Sequence, residues 1–168
     1  MRKITLIGLC LLLAQCGAYN FTGSNVGAAT TYQVSFFENR ASQSPGSIIE
    51  PGLDRDFTNE LQDLIQNQTS LTLTSENADL RYEGEIIEYR VSPMTATANQ
   101  TAAQNRLIIS VNVRFTNTTK EDSDFERRFS FFYDYPAESM LDAVKRTAQE
   151  EIFERITQDI FNASLADW

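Results

Sequence analysis

The side chains able to do chemistry in this chain are carboxylates, arginines, lysines, tyrosines and two thiols; its 168 residues include no histidine. Without imidazole, Ser-His-Asp and Cys-His nucleophile activation, histidine-ligated zinc and histidine proton shuttles are excluded. Three glutamates, Glu83, Glu85 and Glu88, crowd one extended run. Two carboxylates can hydrolyse a glycosidic bond, but only across a cleft that holds them about 5–9 Å apart. Glutamates two apart on a strand instead share one solvated face. Arginines form the complementary set: Arg81 and Arg90, Arg106 and Arg114, and the pair Arg127–Arg128. A guanidinium can grip phosphate bidentately, so Arg106, Arg114, Arg127 and Arg128 are the candidate contacts to an anionic ligand or a partner. The competing role is cross-strand pairing with Glu83, Glu85, Glu88 and Glu126.

The remaining reactive group is a cysteine in a particular place. Arg2 and Lys3 open the chain, Ile4 to Leu13 is apolar apart from Thr5 and Gly8, and Ala14, Gln15 and Cys16 follow. The run is shorter than the roughly 20 residues a membrane span needs, so it reads as a removable secretory signal over residues 1–15. A cysteine directly after the apolar core resembles a bacterial lipobox, with Gln15 where such motifs carry Gly, Ala or Ser. That layout makes Cys16 the lipidation site and the first residue after cleavage; an ordinary signal with an incidental cysteine is the alternative. Each buried methylene of an acyl chain contributes about 0.8 kcal/mol, so two or three chains anchor a protein to a membrane.

Removing residues 1–15 leaves 153 residues, one domain's worth, with 12 basic and 23 acidic side chains, a net charge of −11. Such a domain is unsuited to nucleic acid, whose binding rests on neutralising phosphates, and to broad docking on anionic headgroups. With Cys16 acylated and Cys10 removed, no disulfide is available. Nothing in the residue types implies a cofactor or a metal.

These groups must be positioned by a simple set of elements. Residues 16–30 are small and polar and read as a lipidated N-terminus and tether; the domain follows over 31–168. Tyr32, Val34 and Phe36 alternate with polar residues in a first strand. Leu53, Phe57, Leu61, Leu64 and Ile65 recur at helical spacing, with Phe57 and Leu61 as core anchors. Leu71 and Leu73 start a short extended piece. Leu80, Tyr82, Gly84 and Ile86 share one parity, and Ile87, Tyr89 and Val91 the other. Such a phase change predicts a β-bulge, eased by Gly84, with Pro93 ending the strand. Ser92 to Asn105 reads as a long polar loop. Leu107, Ile109, Val111, Val113 and Phe115 give the cleanest alternation, and Phe125, Phe129, Phe131, Tyr133 and Tyr135 continue it. A last helix, capped by Ser139, carries the stripe Leu141, Val144, Ala148, Ile152, Ile156, Ile160. The order β-α-β-β-β-α predicts an α+β two-layer sandwich, with two amphipathic helices on one face of a mostly antiparallel four-stranded sheet. The other face is polar and open to a partner.

Several stretches in order resemble the LptE type of outer-membrane lipopolysaccharide-assembly lipoprotein, in its Bacteroidetes-like form. They are Cys16–Gly23, Phe36–Ala41, Gln68–Leu71, Ala78–Ile86, Arg106–Val111 and Asp159–Asn162 with Trp168. The resemblance implies an outer-membrane lipoprotein, anchored by its N-terminal lipid, with its domain on the periplasmic side within or beneath a barrel. It implies a non-enzymatic plug and assembly partner of the LptD β-barrel in lipopolysaccharide transport. It also implies lipopolysaccharide contact through basic residues, which the net charge opposes here. The alternative from the residues alone is a lipoprotein adaptor of another envelope complex.

Overall fold

The computed structural model describes residues 26–94 and 103–166. The readings for residues 1–15, Cys16, the first part of the tether and Trp168 therefore lie outside the described residues. The fold takes hold before Thr31. Ala29 is buried, and the Thr30 and Thr31 amides and hydroxyls all donate to one Asp79 carboxylate oxygen at 2.8–3.1 Å.

The described residues form strands β1 (Thr31–Val34), β2 (Glu38–Asn39), helix α1 (Leu53–Gln68), β3 (Thr72–Leu73), β4 (Leu80–Met94), β5 (Gln104–Asn117), β6 (Phe125–Pro136) and helix α2 (Leu141–Leu165). The α+β character is as the sequence implies, but the sheet has six strands and is mixed rather than four-stranded. Its order is β3-β1-β4-β5-β6, with β2 also on β4. β1 runs parallel to β3 and to β4, and β2 parallel to β4; β4, β5 and β6 form an antiparallel meander. The parallel part arises because the chain leaves β1 and returns through a helix, which sets the next strand in the same direction.

One face of the sheet is covered and dry. Tyr32, Tyr82, Ile86, Tyr89, Ile109, Val111 and Val113 from the strands meet Phe57, Leu61, Ile65, Ile152, Ile156 and Ile160 from the helices. α1 packs against β1 and β2, α2 against β5 and β6, and the helices touch each other. Phe37, Phe57 and Phe153 join the two layers through edge-to-face contacts at 5.1 and 5.3 Å, each worth about 0.5–1.5 kcal/mol beyond its burial.

Local details differ from the sequence pattern for identifiable reasons. The first strand stops at Val34; Phe36 is exposed and Phe37 takes the buried place. Gly84 explains the exchange, since a Cβ there would stand 2.6 Å from the Phe37 ring and 2.1 Å from the Asn112 carbonyl oxygen. The glycine thus makes a slot, while the bulge lies farther on, between Ile86 and Glu88. Pro93 does not end β4, which runs to Met94 and pairs Pro93 with Asn105. Tyr89 turns its carbonyl away from β5, to the Ile48 amide, and Pro93 shares its parity. The missing N–H of Pro93 therefore faces the side where no ladder partner is needed. With β4 and β5 both longer than expected, the polar loop shortens at each end. Ser139 is not the cap: it closes a turn by donating its amide to Pro136 at 3.0 Å, and Met140 becomes the N-cap without a side-chain bond.

Candidate functional site

The candidate site is the uncovered face of β4–β5–β6. Side chains alternate across a strand, so the residues between the core positions all project here: Arg81, Glu83 and Glu85, then past the bulge Glu88 and Arg90; Arg106 to Thr116; Glu126 to Asp134. The one-residue bulge is what brings Glu88 to this face. Without it Glu88 would point into the core.

The charges form three tiers. At one end Arg114 bonds Glu126 at 3.0 Å across β5–β6, with Glu83 opposite Arg114 on β4. Arg40, from the segment beside β2, pairs with Glu38 at 2.8 Å and Glu85 at 3.2 Å. At the far end Arg106 makes a bidentate pair with Asp134, 2.7 Å on both arms, and lies 3.6 Å over the Phe132 ring. Between them sits Glu88, only 9% exposed, gripped by Arg90 at 2.8 Å and by Arg128 from two strands away. Ser110 fills the space between, donating to Glu88 at 2.8 Å and contacting the Ser130 hydroxyl at 2.8 Å. Burial pushes the Glu88 carboxyl up; the hydrogen bonds from Ser110 and Arg90 and the charges of Arg128 and Arg90 outweigh it and hold its pKa below the ordinary range. Arg106, Arg114 and Arg40 are held more firmly charged, chiefly by their carboxylate hydrogen bonds.

The four arginines singled out in the sequence therefore part company. Arg106, Arg114 and Arg128 are ion-paired on this face. Arg127 is opposite Val113 on the helix-facing parity, over the Phe125 and Phe129 rings at 5.2 and 4.6 Å. Sequence reasoning grouped Arg127 with Arg128, although adjacent strand residues must face opposite ways. It did not single out Asp134, Ser130, Arg40 or the role of Ser110. Of these, only Asp134 carried a signal, as a carboxylate on the outward parity of β6.

Among the described residues, no buried side-chain polar atom lacks a partner, and no group of three metal-ligating side chains converges. Glu83 and Glu85 line one pocket at the Arg114 end, among Arg40, Arg114, Glu38 and Glu126, and Glu88 sits apart in the central tier. No described helix is long and apolar enough to cross a membrane. The arrangement is thus a satisfied, charge-paired surface.

Comparison with known structures places this fold. A Chlamydia trachomatis protein, CT253, superposes with a TM-score of 0.53 at 11% identity, covering 83% of this chain and 100% of that one. Protein XCC0632 from Xanthomonas campestris gives a TM-score of 0.50 at 11% identity, covering 83% and 89%. At such identities the likeness is one of fold. No curated protein gives a significant match. The family model for lipopolysaccharide assembly, LptE, matches residues 29–164, from the buried Ala29 to the end of α2, and the chain belongs to that family.

Proposed function

We propose that this protein is the lipoprotein subunit of a lipopolysaccharide translocon, held to the outer membrane by acyl chains on Cys16 and acting as plug and assembly partner of an LptD-type β-barrel. The observation that carries the reading is the family match over residues 29–164. In this reading Arg106, Arg114 and Arg128 hold the sheet face together instead of gripping lipid phosphates, since each already has a carboxylate and the domain is strongly acidic.

Affinity purification of the native lipoprotein from membranes tests the role. A large β-barrel should co-purify, and depletion should reduce lipopolysaccharide at the cell surface. Recovery with a different envelope complex, and no effect on surface lipopolysaccharide, would favour the adaptor reading. Metabolic labelling with a fatty-acid analogue tests the anchor: Cys16→Ala should lose the label and keep the fold, and retained label would remove Cys16 from the account.

A further inference from the structure

β6 is the outermost strand of the sheet, twelve residues long, with no neighbour on its far side among the described residues. Which of its backbone groups are free follows from one bond. Ala137 donates to Ala103 at 3.1 Å, in register with β5. The odd-numbered residues thus spend their peptide groups on β5. Glu126, Arg128, Ser130, Phe132 and Asp134 turn their N–H and C=O groups outward. A strand of this length, left regular and rich in aromatics, is a template for strand addition.

The chemistry beside this edge says what it fits. On the helix side lie two cations that make no ion pair among the described residues: Arg127, over Phe125 and Phe129, and Arg155 of α2, 5.3 Å over the Phe131 ring. Asp159 lines the cleft beside Arg127. Phe131, beneath Arg155, is the next helix-side residue after Phe129, so the two guanidiniums stand along one continuous row of rings on the strand. A second copy supplies no match, since β6 itself has no carboxylate on that face: its helix-side residues are Phe125, Arg127, Phe129, Phe131, Tyr133 and Tyr135.

We propose that the free edge of β6 receives an extended segment of a partner protein, paired backbone to backbone, with carboxylates on its helix side meeting Arg127 and Arg155. The segment alternates: its acidic and small apolar residues lie along the row from Phe125 to Phe131, and polar residues face outward beside Arg128 and Phe132. The inference does not depend on which envelope complex the protein serves.

A photo-crosslinking residue in place of Phe132, in the full-length lipoprotein in native membranes, tests it; the same residue in place of Leu73, on the opposite edge, is the control. The expected adduct joins the Phe132 position to a peptide of another protein with acidic residues on one face of an alternating stretch. Ser130→Pro removes a free-edge N–H, and Arg127→Glu reverses the exposed cation; each should cut the adduct at least tenfold. Arg127→Glu breaks no ion pair or hydrogen bond described above, so it decides the matter should Ser130→Pro fail to fold. An adduct between two copies, to the chain's own first 25 residues or to lipid alone would overturn the proposal. So would an equal yield from Leu73, no adduct, or a yield that Arg127→Glu leaves unchanged.

Discussion

The two faces of the β4–β5–β6 meander are built from the same strands and held by different physics. The covered face is fixed by shape: Ile109, Val111, Ile152 and Ile156 are all fully buried, and an atom removed there leaves a void. The outer face is fixed by charge, in pairs spaced along the strands and tied at the centre by Glu88 and Ser110. Shape is costly to lose at any pH. Charge is cheap to lose at the exposed tiers and sensitive to protons at the centre. The domain thus concentrates its stability on one side and leaves the other free to vary in recognition.

The sharpest way to break this contrast is at its dry side. Ile156→Ala should destabilise the domain by about 2–5 kcal/mol in urea unfolding; a loss under 1 kcal/mol would mean the helix layer is loosely packed. The next effect should come from the one outer position that behaves like core. Glu88→Ala strips the partner from Arg128, Arg90 and Ser110, and should cost about 1.5–3 kcal/mol, the range for hydrogen bonds to a charged group. Acid should separate the faces further. Glu88 and Asp79 both have pKa values lowered by the fold, the latter by hydrogen bonds from Thr30 and Thr31. The native state therefore binds fewer protons than the unfolded chain, and stability should be full above the ordinary carboxylate range and fall as pH drops below about 4. Urea midpoints between pH 6 and pH 3 should decline less steeply in Glu88→Gln. Glu60 acts in the opposite sense. Burial and the charges of Asp63, Glu154 and Glu150 raise its pKa, so its ionisation weakens the fold as pH rises through that raised value. Glu60→Gln should therefore be neutral to slightly stabilising at pH 7, which a thermal melt reads. The smallest effect should be Arg114→Glu, whose pair is well exposed on both sides; it should shift stability by less than about 1 kcal/mol. A titration in which that variant lost tight lipopolysaccharide binding with its fold intact would reverse the structural role assigned to this tier.

What could be read from the chain beforehand follows the range of each interaction. The alternation from Leu107 to Phe115, the α2 stripe and the phase flip in β4 are local patterns, and each matches the burial observed. The short parallel strand β2 is two residues long and leaves no period to detect, whereas β3, equally short, falls on the extended piece read at Leu71 and Leu73. Phe37 could not be assigned to the core from its own neighbourhood, because its slot is made by Gly84, distant in sequence. The Glu88 cluster was legible only as residue types. That Arg128 reaches over Ser110 to Glu88 depends on the register of three strands together. The separation of Arg127 from Arg128, by contrast, needed only counting along β6.

The clasp at Asp79 has a mechanical consequence. A pull on the chain from its N-terminal side passes the core contacts of Val26 and Ala29 and then meets Thr30 and Thr31, both bound to that one carboxylate. Behind them β1 lies parallel between β3 and β4. Force applied along β1 therefore shears its ladders, loading their hydrogen bonds together instead of opening them one after another. Asp79, which takes the load before the strand does, acts as the shackle through which the domain can hang from whatever holds its leading end.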